Sequence, residues 1–203
     1  MASLSRRTEA QSSKRAAIEA TVLRTTGELL ADGMSYSELS IERIATAAGL
    51  SRTAFYFYFR DKRELLTRLT ADVADELYEE AERWFDATDD GAAELEAAIG
   101  RILELYSGHA ALMRAVVESA AYDEPVAEYW RALMGRFIDA ATRRIEQEQA
   151  SGKADGMPAA DTATALVWMT ERTCYQRVVA GHDLADPGMR RALAGIWIRS
   201  VYG

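Results

Sequence analysis

GLSRTAFYFYF, residues 49–59, contains five consecutive aromatics in which Phe55, Phe57 and Phe59 alternate with Tyr56 and Tyr58. Alternating apolar and polar-tipped rings form the period-two pattern of a half-buried β-strand. A strand needs a partner for its backbone groups, because an unpaired strand is not stable alone. The flanking sequence offers none. Upstream, Ser40 is placed to cap IERIATAAG, where Ile41, Ile44, Ala45 and Ala48 recur at helical spacing and Gly49 can end the helix. Downstream, Asp61 is followed three residues later by Glu64, a capping-box-like start before Leu65. Ser51 is a further cap. The order is therefore helix, tight turn through Gly49 and Leu50, short helix from Arg52, and a new helix at Asp61.

The rest of the chain carries the same helical signals. Apolar residues recur at helical spacing at Ile18, Val22 and Leu29, at Leu65, Leu66 and Leu69, and at Ile99, Ile102, Leu103 and Tyr106. The three prolines, Pro125, Pro158 and Pro187, each sit near a helix start, and Asp186-Pro187 predicts a last helix to about Val201. No Asn-Gly or Asp-Gly turn joins two alternating runs. The predicted fold is all-α, about nine helices, with a head over residues 1–68 and a larger body over 69–203. A flexible basic N-terminus is expected over about residues 1–12.

The formal net charge of −8 argues against nucleic acid until its distribution is considered. Residues 1–70 contain 11 Lys/Arg and 8 Asp/Glu, a balance of +3, whereas residues 71–203 contain 13 and 24, a balance of −11. A basic head on an acidic body permits DNA binding by the head alone. The single Cys174 excludes an internal disulfide and a Cys-rich metal site. With no apolar leader and no run of roughly 18 apolar residues, the expectation is a cytoplasmic protein with no membrane partner. His109 and His182 lack neighbouring ligands at metal spacing and read as capping or solvent-exposed residues. No metal, cofactor or catalytic residue is expected, since HExxH, GxSxG, GxGxxG and CxxC are all absent.

Two short helices joined by a glycine-containing turn form a helix-turn-helix unit, whose second helix enters the DNA major groove. At about 100° per residue, Arg52, Thr53 and Tyr56 share one arc that can face DNA. Phe55 and Phe57 are left to anchor the helix, against Ile44 and Leu50, and Phe59 is expected beyond its end. ELSIERIATAAGLSRTAFYFYFRDKRELL, residues 38–66, resembles the DNA-binding head of the TetR family of transcriptional regulators, all-α and usually homodimeric. FYFYF, ERT at Glu171–Thr173, and an ending of the form IW..S.YG at Ile196–Gly203 extend the resemblance to the ethionamide-resistance branch of that family. It implies that Arg52 and Thr53 approach bases, that Tyr56, Tyr58 and Lys62 bind phosphates, and that Ser51 belongs to the same contact set. Arginine can read guanine O6 and N7 with two donors, and a tyrosine hydroxyl or lysine ammonium suits a phosphate oxygen. The free amides at the start of the fourth helix also favour an anion. Two departures bear on these contacts: Ala54 stands where the family often has a hydroxyl, and Glu42 brings negative charge to the head.

The body carries all four tryptophans. Trp130, Met134 and Phe137 recur at i, i+4 and i+7, which defines one helix face and is compatible with a core stripe. Aromatics and methionines drawn from several helices also suit an apolar ligand cavity. By resemblance, Tyr106, Trp130, Met134, Phe137, Val167, Thr170, Glu171, Cys174 and Trp197 match pocket-lining positions. Val167 and Thr170 stand where the related branch has amides, so a different, less polar-bound ligand is implied. Glu171-Arg172 either anchors a polar ligand group or forms an exposed ion pair. The dimer contact is expected on the last two helices, roughly 162–181 and 187–201. The function implied is a dimeric repressor of a double-stranded DNA operator, released by a small apolar or amphipathic ligand. The alternatives are a DNA-binding regulator whose body only dimerises or binds protein, and a small helical enzyme or carrier.

Overall fold

The computed structural model describes every residue except Met1, Thr88, Asp89 and Asp155, and for residues 2–10 it describes the backbone only. Much of the expected flexible basic N-terminus therefore lies outside the described side chains. The helices are α1 (Ala2–Ala31), α2 (Ile41–Ala47), α3 (Arg52–Phe55), α4 (Lys62–Phe85), α5 (Gly91–Gly108), α6 (Ala110–Ala120), α7 (Glu124–Ala150), α8 (Ala159–Val179) and α9 (Pro187–Tyr202). Among the described residues there is no strand. The chain divides into two compact units, residues 1–70 and 71–203.

The caps read from the sequence form as hydrogen bonds. Ser40 Oγ accepts the Arg43 N–H and Ser51 Oγ accepts the Ala54 N–H, each at 3.1 Å, satisfying amides that have no partner inside a helix. Asp61 accepts the Glu64 N–H at 2.9 Å, while Glu64 accepts the backbone N–H of Arg60 at 2.8 Å, a reciprocal lock on the start of α4. Asp186 accepts the Met189 N–H at 2.9 Å, with Pro187 in the first turn of α9.

The turn between α2 and α3 depends on one glycine. Gly49 has φ +72°, the Leu50 N–H donates to the Ala45 carbonyl at 2.8 Å, and the Gly49 N–H donates to the Thr46 carbonyl at 3.0 Å. A Cβ on Gly49 would meet no atom within 4 Å, so a substitution there is penalised only through the left-handed backbone. Gly49→Ala is expected to lose about 1–2 kcal/mol, read as a lower thermal midpoint with unchanged helical content; an unchanged midpoint would refute the turn geometry.

In the head unit, Ile44, Leu39, Phe55, Phe59, Leu65 and Leu66 are fully buried. Phe57 does not anchor the helix as the sequence reading expects: it is 71% exposed, and Phe59 takes the anchoring role. The reason is angular. Although α3 is assigned only to Phe55, the N–H groups of Phe57, Tyr58 and Phe59 bond back to the carbonyls of Ala54, Phe55 and Phe55 respectively, so the helical winding continues. Phe57 is then about 200° around from Phe55, while Phe59 returns to the same side. The Phe55 and Phe59 rings stack with centroids 5.4 Å apart. In the body unit, α7 packs most extensively against α8, α5 against α9, and α6 against α7 and α8.

Candidate functional site

Two sites emerge, one in each unit. In the head, Ser51, Arg52, Thr53 and Tyr56 are all exposed: Ser51 caps the start of α3, Arg52 and Thr53 lie on it, and Tyr56 follows its end. Arg52 forms no ion pair among the described residues, unlike Arg15, Arg24, Arg60, Arg63 and Arg68. Ser51 uses its oxygen to accept the Ala54 N–H, which leaves its O–H proton as a donor. Tyr58 is half-buried, with the Arg15 guanidinium 5.7 Å from its ring centroid. Lys62 is also half-buried. Its ammonium donates to the Tyr36 carbonyl at 2.6 Å and lies 4.6 Å from the Tyr36 ring centroid, and the Tyr36 hydroxyl donates back to the Lys62 carbonyl. Burial lowers the Lys62 pKa from its ordinary value. Lys62 therefore spends one of three donors inside the fold, and the Asp61 carboxylate already occupies one of the amides at the start of α4. Glu42 is exposed. Sequence reasoning missed Phe57, whose exposed ring follows Thr53 by four residues and so continues that edge of the helix. The signal for it was its distance of two positions from Phe55.

In the body, a cavity of about 100 Å³ is lined by residues of α4 to α9. All nine pocket positions expected from the sequence line it. Tyr106 comes from α5; Trp130, Met134 and Phe137 come from α7. Val167, Thr170, Glu171 and Cys174 come from α8, and Trp197 from α9. Lining residues that were not among the nine positions include Leu77, Ala81, Trp84 and Phe85 of α4, Met113 of α6, and much of α5, including Leu95 and Ile99. Trp84 and Trp197 meet edge-to-face with centroids 5.7 Å apart.

Polar groups in this wall divide into satisfied and unsatisfied. Trp197 Nε1 donates to Thr170 Oγ1 at 2.8 Å, and that hydroxyl donates to the Leu166 carbonyl at 2.9 Å. Thr170 therefore holds Trp197 and spends its donor inside the protein. By contrast, Tyr106 Oη, Trp130 Nε1 and both carboxylate oxygens of Glu171 are buried with no hydrogen-bond partner among the described residues. The Glu171 side chain is 4% exposed, and its nearest cation is Arg172 Nε at 3.6 Å from Oε2, on a side chain 54% exposed. Of the two sequence readings of Glu171-Arg172, an exposed ion pair fits only the arginine. Burial raises the Glu171 pKa above the usual carboxylate range, with Arg172 opposing. Burial, reinforced by Glu171, pushes the Cys174 thiol up to about 12. Burial also raises the Tyr106 phenol.

Among the described residues, no group of three His, Cys, Asp or Glu is placed to hold a metal, and no helix is long and apolar enough to cross a membrane. His109 joins α5 to α6, and His182 is exposed after α8.

Residues 24–69 match the family model for bacterial regulatory proteins of the tetR family, and residues 95–203 match that for the C-terminal domain of the transcriptional regulator EthR. The chain is 34% identical over 192 residues to the HTH-type transcriptional regulator EthR of Mycolicibacterium smegmatis, covering 91% of this chain and 86% of the relative. It is 31% identical over 194 residues to EthR of Mycobacterium tuberculosis, covering 91% and 87%. In fold it is similar to the solved SmeT–triclosan complex, with a TM-score of 0.76 at 19% identity over 92% of each chain. It is likewise similar to NalD of Pseudomonas aeruginosa, the secondary repressor of the MexAB-OprM multidrug efflux pump, with a TM-score of 0.74 at 18% identity over 94% of this chain and 98% of that one. The chain thus belongs to the TetR family of bacterial regulatory proteins, carries the EthR type of C-terminal domain, and is a transcriptional regulator rather than an enzyme.

Proposed function

We propose that this regulator is a repressor that binds its operator as a homodimer and is released when a small apolar or amphipathic molecule enters the body cavity. The observation that carries the proposal is the course of α4. This helix opens at Lys62, beside the exposed Arg52–Tyr56 surface in sequence, and its last turns place Trp84 and Phe85 in the cavity wall. At about 100 Å³ the cavity is smaller than the roughly 300–1,000 Å³ of sites for drug-sized ligands. A larger occupant must therefore displace the walls, and flexible Met113 and Met134 can yield. A ligand favouring the displaced arrangement shifts the population toward it, which is the condition for release.

In the bound state Arg52 and Thr53 read base edges, with Tyr56, Tyr58, the Ser51 hydroxyl and the remaining Lys62 donors on phosphates. Phe57 adds an exposed apolar ring suited to a thymine methyl. Dimerisation through α8 and α9 is supported by the exposed apolar side chains of Val179 and Ile196 on those helices, at 50% and 39%. A two-fold pair of heads then matches a palindromic operator. In the solved neighbours, one chain is in complex with triclosan and another with choline.

The test is binding to DNA from upstream of the gene, followed by fluorescence anisotropy across a salt series. Affinity should fall linearly with salt on logarithmic axes, and Lys62→Ala should reduce that slope by about one phosphate contact per head. Arg52→Ala should weaken binding by about tenfold or more and relax base preference. Salt-insensitive affinity, untouched by either substitution, would overturn the interface. Failure of every apolar compound to raise the melting temperature would leave a regulator whose body only dimerises.

A further inference from the structure

We infer that the cavity selects organic cations: an apolar molecule bearing a protonated amine, whose N–H groups bond to the Glu171 carboxylate while its hydrocarbon part lies among the aromatic rings. This deepens the ligand-responsive reading and rests on it.

Three observations converge. Glu171 is a buried residue of the cavity lining, and neither carboxylate oxygen accepts a hydrogen bond among the described residues. Among the described residues its one ion-pair partner is Arg172, whose Nε stands 3.6 Å away, beyond hydrogen-bond length, and whose guanidinium lies 5.1 Å from the Tyr175 ring centroid. Tyr106, Trp130, Phe137 and Trp197 line the same space, and the face of an aromatic ring attracts a cation.

Energetics favour a cation over a neutral molecule of the same shape. Burying an ion pair from water desolvates two charges, and the attraction between them often fails to offset both penalties. Here the fold has already desolvated the carboxylate. The ligand contributes only the desolvation of its own ammonium, offset by charge-assisted hydrogen bonds to two waiting oxygens and by the rings. The raised pKa of Glu171 is the signature of that stored penalty, and a cation at hydrogen-bond distance relieves it. The body's balance of −11, from 13 Lys/Arg and 24 Asp/Glu over residues 71–203, favours approach of cations over anions. The unpartnered Tyr106 O–H and Trp130 N–H add a second preference, for a ligand carrying a hydrogen-bond acceptor such as an ether or carbonyl oxygen.

Calorimetry with three probes of one shape tests this: 4-phenylbutylamine, 4-phenylbutanol and 4-phenylbutyrate, titrated into the full-length protein near neutral pH. The amine should bind about tenfold or more tightly than the alcohol, with the carboxylate weakest. Glu171→Gln should bring the amine down to the alcohol's affinity and leave the alcohol within about threefold. Arg172→Ala, which keeps the carboxylate and removes its competing cation, should raise the amine's affinity. Equal binding of amine and alcohol by the wild type would overturn the inference, as would survival of the amine's advantage in Glu171→Gln. If both bind equally and both weaken DNA binding, the ligand-responsive reading stands and the cation preference falls. If none of the three binds, both fall.

Discussion

Phe55→Ala should destabilise the head by about 3–5 kcal/mol, the range for emptying a large aromatic site in a packed core. Phe55 is fully buried and stacks on Phe59, so the surrounding helices cannot close the space without breaking that contact. Two residues on, Phe57→Ala should change stability by no more than about 0.5 kcal/mol, because its ring is 71% exposed. Its effect should appear in operator affinity instead. Urea unfolding followed by circular dichroism gives the first quantity, and anisotropy with labelled operator gives the second. Comparable loss of stability from both substitutions would show that the chain does not wind helically from Phe55 to Phe59.

A second large effect is expected at Glu148. Arg144 and Glu148 are both buried, and the guanidinium donates to Glu148 and to the carbonyls of Phe85, the last residue of α4, and of Ala87 just after it. The Tyr202 hydroxyl donates to Glu148 at 3.0 Å and accepts the Trp84 indole N–H at 3.0 Å. Three parts of the body chain, the end of α4, α7 and α9, are thus tied together through one carboxylate. Glu148→Ala leaves a buried arginine unpaired, and about 3–5 kcal/mol should be lost. Tyr202→Phe removes a hydroxyl but no charge, and about 1 kcal/mol is expected. Gly91 is fitted to the same cluster: a Cβ there would lie 2.3 Å from Tyr202 Oη and 2.6 Å from Glu148 Oε1. Thermal unfolding monitored by tryptophan fluorescence measures both substitutions, because Trp84 is part of the network. Equal small effects from Glu148→Ala and Tyr202→Phe would mean that the pair is solvated.

What could be read from the sequence was local. Ser40, Ser51, Asp61 and Asp186 cap within three residues of themselves, and Gly49 ends a helix through its own backbone, so the order of helices around FYFYF needed no tertiary information. Phe57 was misplaced because it was grouped with Phe55 as an anchor although two helical positions turn it about 200° away, and Phe59 because the cap at Asp61 set the expected end of the helix before it. In the body, stripes such as Trp130, Met134 and Phe137 mark a helix face but cannot distinguish core from cavity, and resemblance supplied the pocket positions. IEQEQA, residues 145–150, has the composition of a solvated helix end. Glu148 is held there by Arg144 and Tyr202, with Trp84 bonding to Tyr202 in turn, and Trp84 and Tyr202 lie more than fifty residues away in the chain. Trp84 and Phe85 were visible as aromatics, yet only the folded body puts the end of α4 into the cavity wall.

Cys174 gives the body a clock. It is the chain's single sulfhydryl, it is 1% exposed in the cavity wall, and burial holds its pKa at about 12, so almost no thiolate is present at neutral pH. A thiol reagent can reach it only during moments when the helices part. The rate of its alkylation therefore counts openings, without any introduced label, and an occupant that seals the cavity slows the count while one that wedges it apart speeds it.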